Sequence, residues 1–170
     1  MCIIKGFATN KWKYFEYELI GEWVEFPCDE DKWNEVLERI GINEEYNDYF
    51  FTDWEIDLNN EFTLDSDITF EEINKLAEEL ELLDDYELEK LDAILETVTS
   101  DIREALDDLN SYEFISDTTL VEYAEQLIND CYVFRDTPEI LVRYFDYEAF
   151  ARDLEFDGYY EANGGVLWYC

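Results

Sequence analysis

The chain has no histidine, and only 11 basic residues stand against 46 acidic ones in 170 positions. Without histidine there is no Ser-His-Asp or Cys-His constellation. The shortage of lysine and arginine argues against a nucleic-acid binder, which must offer phosphate a basic face. The four cysteines, Cys2, Cys28, Cys131 and Cys170, form no C-x-x-C pair, so no zinc site is signalled. Four free thiols fit a reducing cytoplasm. No basic segment leads into an apolar one at the start, and no apolar run approaches spanning length. Neither a signal peptide nor a membrane partner is therefore expected. Both glycine-rich nucleotide loops, G-x-x-x-x-G-K-[ST] and G-x-G-x-x-G, are missing. Asp65-Ser66-Asp67 opens like a calcium loop, but glycine at the sixth position and glutamate at the twelfth are lacking. The expectation is a protein with no cofactor and no metal.

Apolar content is high: 48% hydrophobic and 18% aromatic, too rich for a disordered acidic tail. The net charge of −35 works against folding by self-repulsion, so it reads as a functional demand. Residues 1–60 carry 15 acidic and 5 basic side chains, residues 61–110 carry 18 and 3, and residues 111–170 carry 13 and 3. Acid spread this evenly, between apolar positions, predicts a charged coat over folded structure. Salt adaptation is the bland alternative, but halophilic chains tend to give up bulky apolar residues, and this one keeps them.

Hydrophobic periodicity divides the chain in three. Residues 2–8 and 17–26 read as strands, the second ending at Pro27, with Gly21 marking a bulge. Lys5, Lys11 and Lys13 lie before the first acid, in a loop or docking point. Asp29 opens a helix to about Ile40, with Trp33, Val36, Leu37 and Ile40 on one face and Gly41 after its end. Residues 48–57 read as a third strand. Residues 1–62 thus form a small α+β unit with a three-stranded antiparallel sheet.

From Thr69 the period changes to helical. Thr69 and Glu72 have capping-box spacing, and Ile73, Leu76, Ala77 and Leu80 follow. A second helix over 85–97 carries Leu88, Leu91, Ile94 and Leu95. Ser100 is placed to cap a third, with Ile102, Ala105, Leu106 and Leu109. Residues 63–110 read as a helical bundle whose outer faces hold Glu71, Glu72, Glu78, Glu79, Asp84, Asp85, Glu87, Asp92 and Glu96.

Residues 111–170 are mixed again. Residues 112–116 suit a strand, Thr119 with Glu122 opens a helix, and Pro138 suits the first position of a short helix to Arg143. Asp146 is placed to cap a helix whose Tyr147, Phe150, Ala151 and Leu154 share a face, with Phe145 stapled onto Phe150. Asn163-Gly164 marks a closing hairpin. Its two faces, Tyr160, Leu167 and Tyr169 against Tyr159, Val166 and Trp168, are both apolar. One is expected on the helices and the other against a partner such as a second copy. The fold class is α+β, three small domains in an elongated row.

Carboxylate pairs are so common here that none points to acid–base catalysis, and no enzyme is expected. The sign of the charge points to a stand-in for nucleic acid. Duplex DNA carries one charge per about 1.7 Å, so 35 charges would cover roughly 60 Å. A compact chain of this length is only about 40 Å across. A row of three units would therefore match DNA better than a sphere. An acidic adaptor or chaperone for a basic protein is the competing class, and a carboxylate-dependent hydrolase a third.

Tyr144–Leu154 closely resembles the Y-[IF]-D-Y-x-A-[FY]-x-R-D-L run of the ArdA antirestriction proteins. Glu18–Pro27, with Gly21, Trp23 and Pro27, resembles that family's G-x-W-x-x-x-P element. Ile40–Tyr46 resembles its G-[IL]-[NG]-x-E-Y segment, and Gly164–Tyr169 its closing strand. The chain departs at Val133–Asp136, which lacks a glycine before the proline, and at Trp12–Phe15. The resemblance implies an elongated three-domain homodimer that mimics bent duplex DNA and occupies the DNA channel of type I restriction–modification enzymes. A CRISPR effector or nucleoid protein is the alternative target. The family's antirestriction motif falls on roughly Thr137–Leu154. Tyr144, Phe145, Asp146, Tyr147, Phe150, Arg152, Asp153, Leu154 and Trp168 are the residues expected in that motif and at the dimer contact. The nine bundle acids are expected to stand in for phosphates.

Overall fold

The computed structural model describes residues 4–59, 62 and 64–170. Contacts divide the chain into two compact units, Met1–Leu88 and Glu89–Cys170. The fold is mixed α+β, with one three-stranded antiparallel sheet in each unit.

In the first unit β1 (Ile4–Asn10) lies between β2 (Gly21–Phe26) and β3 (Tyr49–Ile56). The strand expected from residue 2 begins, as described, at Ile4; residues 2 and 3, and so Cys2, lie outside the described residues. Pairs such as Ile4↔Phe26 and Gly6↔Val24 set the register that buries Ile4, Val24, Phe26 and Phe51. Trp33 of α2 (Glu30–Arg39) packs into this core, stacked 5.2 Å from Phe70. Tyr49 accepts a hydrogen bond from the Phe70 amide at 3.0 Å. Burial pushes its phenol above the ordinary tyrosine range.

Two expectations for this unit are corrected. The irregularity in the sheet lies between Gly6 and Ala8 of β1, not at Gly21. Gly21 is needed for close approach, since a Cβ there would sit 2.7 Å from the Ala8 carbonyl oxygen. The second strand does not begin at Tyr17. Residues Lys11–Phe15 form a short helix, α1, capped by the Asn10 side chain, which accepts from the Lys13 amide. Its last turn closes through Tyr17 N–H to Tyr14 O and Glu18 N–H to Lys13 O, at 3.0 and 2.9 Å. That is a Schellman ending, with Tyr17 at φ 65°. α2 ends in the same way with Gly41, at φ 80°.

α3 (Phe70–Glu81) carries the expected capping box and buries Ile73, Leu76, Ala77 and Leu80. It belongs to the first unit, where Asn74 accepts from the Cys28 amide at 2.7 Å. α4 (Asp85–Thr97) begins with a second reciprocal box, in which Glu87 accepts from the Asp84 amide and Asp84 from the Glu87 amide.

The second unit holds most of α4, then α5 (Ile102–Asp107) and a 3-10 turn at Leu109–Ser111. Asp101, not Ser100, caps α5, accepting from the Arg103 and Glu104 amides. A carboxylate at this position also meets the positive end of the helix. The sheet follows the order β4-β6-β5, built from β4 (Tyr112–Ser116), β5 (Tyr159–Ala162) and β6 (Gly165–Tyr169). Asn163-Gly164 makes the turn between β5 and β6.

One sheet face, through Val166, Tyr159 and Trp168, packs on α6 (Leu120–Asp130) and α8 (Tyr147–Phe156). Leu120, Ala124, Ala151 and Leu154 are the buried residues there. The other face is partly covered within the unit, although Tyr169 on it stays 64% exposed. Phe114 and Leu167 are buried on it, and α4 reaches the sheet through Lys90, which donates to the Tyr112 carbonyl at 3.2 Å. α7 (Glu139–Val142) starts one residue later than expected, with Pro138 as its cap and not its first helical position.

Thr119 and Glu122 form the box of α6. The Thr119 amide and hydroxyl hold the Glu122 carboxyl below the ordinary glutamate range. That contribution is complete above the unfolded-state value, about pH 4.3, and is lost as pH falls through the folded-state one. Thr119→Ala is expected to cost about 1 kcal/mol in urea denaturation at pH 7. Its deficit should narrow as pH falls through the depressed folded-state value and Glu122 takes up its proton.

Candidate functional site

Acid is carried by both folded units. The first has 26 acidic and 6 basic residues, net −20, and the second 20 and 5, net −15. The basic residues of the first unit are largely tied up. Lys11 lies 2.8 Å from Asp67 and 3.4 Å from Asp48, Lys13 2.9 Å from Glu16, and Arg39 2.8 Å from Glu22. The guanidinium holds the Glu22 carboxyl below its usual range.

The nine acids expected to act as phosphate surrogates divide by what each already does. Glu72, Asp84 and Glu87 are occupied in helix caps. Glu96 accepts from the Asn163 amide at 2.7 Å and so anchors the closing hairpin. Asp92 is corrected: it is 8% exposed and does not lie on an outer face. Residues 90–95 of α4 are all buried, so the middle of this helix is enclosed on every side rather than along one stripe. Glu71, Glu78 and Asp85 are exposed and Glu79 is half-buried, 3.5 Å from Lys75. Glu71 and Glu78, seven residues apart on α3, are about 10 Å apart along the axis.

The motif residues also separate. Asp146 caps α8, accepting from the Ala149 amide at 2.9 Å. Phe145 touches Phe134, Tyr147 and Phe150, with ring centroids 5.0, 4.9 and 5.9 Å away, so the expected staple forms. Leu154 is in the core, and Trp168 stacks on Tyr123 and Tyr159. These side chains hold the second unit together. Arg152 and Asp153 are exposed, and Tyr144 is 83% exposed. It lies in an exposed apolar stretch with Tyr132, Val133, Ile140 and Leu141.

Sequence reasoning missed a second exposed apolar group, at the end of α1. Tyr14, Phe15, Tyr17 and Leu19 line a shallow depression of about 410 Å³. Alternation of Tyr17 and Leu19 with Glu18 made the end of this segment look like the start of a strand. Among the described residues no group of three or more cysteines or carboxylates is placed to hold a metal ion, and Cys28, Cys131 and Cys170 are free. Burial pushes the Cys28 thiol up. No helix among the described residues is long and apolar enough to cross a membrane.

No curated protein matches the chain. The family model described as antirestriction protein (ArdA) matches residues 7–167. That span is nearly the whole sequence, and the chain belongs to the ArdA antirestriction protein family.

Proposed function

We propose that this protein is a non-enzymatic, cytoplasmic DNA mimic that occupies the DNA-binding channel of a type I restriction–modification enzyme. The observation that carries this reading is the acid on the solvent side of two well-packed units, net −20 and −15. A basic channel gains affinity for DNA by releasing counterions from phosphate. A fixed array of carboxylates meets the same channel and offers no base edges to read. On α3 the roughly 10 Å between Glu71 and Glu78 fits three base steps along one DNA strand, at 3.4 Å each.

The reading calls for an extended body of three small parts, 1–62, 63–110 and 111–170. It also calls for a homodimer that meets through the apolar stretch containing Ile140, Leu141 and Tyr144. Their exposure in a chain of this charge supports that contact.

A competition titration tests the function. Labelled duplex is bound to a purified type I enzyme, and this protein is added over a salt series. Stoichiometric displacement at low salt, weakening steadily as salt rises, is expected. If the duplex stays bound at low salt, the mimic reading fails. Displacement of duplex from a purified nucleoid protein or CRISPR effector substituted for the type I enzyme, with the type I enzyme unaffected, would move the target to that class.

A further inference from the structure

Among the described residues, two helices end on a left-handed residue that is not glycine. α1 ends on Tyr17 at φ 65°, and α6 ends on Tyr132 at φ 52°. Both close as Schellman motifs; at α6, Tyr132 N–H donates to Asn129 O and Val133 N–H to Ile128 O. Glycine fills the corresponding left-handed position after α2, at Gly41, and after α8, at Gly158. A side chain there is strained, and glycine would relieve it. The strain wins no packing. Tyr17 is 99% exposed and Tyr132 75% exposed. Backbone strain that supports no internal contact points to a role outside the chain.

Tyr132 belongs to the exposed apolar stretch proposed above for a second copy. Tyr17 has different surroundings. It stands between Glu16 and Glu18 on the rim of the depression lined by Tyr14, Phe15 and Leu19. The Tyr14 ring is fixed edge-on against Phe50, 5.1 Å between centroids. Both nearby lysines are saturated. Lys13 faces Glu16 and Glu18 at 2.9 and 3.7 Å, and Lys11 faces Asp67 and Asp48. Each lysine meets two carboxylates, so each cluster keeps a net charge of −1. A second copy would bring more of the same charge to this face. A surface bearing arginine complements it, because a guanidinium stacks on an aromatic face while its edge pairs with carboxylate.

We infer that Tyr17, with Tyr14, Phe15 and Leu19 beside it, is a contact for an arginine-bearing surface of the partner protein, distinct from the carboxylates that replace phosphate. This rests on the mimic reading and adds to it a patch that is not charge alone. Tyr17→Gly removes the ring and relieves the backbone at once. In the competition assay its potency is expected to fall about tenfold, while the melting temperature holds or rises. The salt dependence is expected to match wild type, because no carboxylate is lost. Tyr17→Phe should keep the potency, and Tyr17→Lys should lower it at least as far as the glycine variant.

Full potency of Tyr17→Gly and Tyr17→Lys, with wild type still displacing DNA, overturns the contact and leaves the mimic standing. Wild type that displaces nothing overturns both. A change in solution mass of Tyr17→Gly, measured by light scattering, makes a second copy the occupant and also overturns it.

Discussion

Exchanging Glu71, Glu78, Glu79 and Asp85 together for their amides is expected to weaken displacement of DNA from a type I enzyme roughly 100-fold at low salt. The four differ from their acidic neighbours because their carboxylates serve no cap and no hairpin. Each exposed charge should contribute under about 1 kcal/mol, so single exchanges should change potency only a few-fold. The log–log salt slope should shrink by roughly three to four when all four are replaced. Stability should hold or improve, since the exchanges lower repulsion in a unit of net −20. Asp92→Asn makes the contrast. Its side chain is buried, so the change should appear in unfolding and not in the salt slope. Equal loss of binding from Asp92→Asn and from the fourfold exchange would remove the distinction between the two sets.

Gly165→Ala is expected to be the most damaging small substitution in the second unit. Gly165 opens β6, the middle strand, between Ser116 of β4 and Ala162 of β5. A Cβ there would run into the Ile115 carbonyl oxygen and lie 2.6 Å from the Phe114 ring. The first obstacle is backbone of a paired strand, which cannot step aside without breaking the sheet. The cost should be about 3 kcal/mol or more, a large share of a typical domain's stability. Gly158→Ala has open space around it and only its φ of 90° to oppose it, so about 1–2 kcal/mol is expected. Urea unfolding of the two variants, followed by the Trp168 region's fluorescence, compares them. A Gly165→Ala protein no less stable than Gly158→Ala would contradict the packing described around β6.

Local signals in the sequence carried far where they were chemically specific. The boxes at Thr69–Glu72 and Thr119–Glu122, the Asp29 and Asp146 caps, and the Asn163-Gly164 turn all form as read. Each depends on contacts within a few residues, which is why spacing alone reveals it. Two kinds of feature stayed hidden. Alternating Tyr-Glu-Leu at 17–19 satisfies the strand period, yet the backbone turns there to end α1, a choice made by hydrogen bonds to Lys13 and Tyr14. The stripe on α4 predicted one solvent face, but residues 90–95 are enclosed, and burial on every side follows only from tertiary packing. The same limit applies to the acids. Composition shows that carboxylate is abundant. Which carboxylates are engaged in caps, hairpin or core, and which remain for a partner, depends on where the chain folds them.

Hydrogen–deuterium exchange on a type I restriction–modification enzyme tests mimicry most directly, measured free, with duplex DNA, and with this protein. If the acid surface replaces DNA, the two ligands should protect the same basic channel peptides, and adding both should give no more protection than either alone. Protection by this protein on a different face, with the channel peptides still exchanging as in the free enzyme, would contradict it.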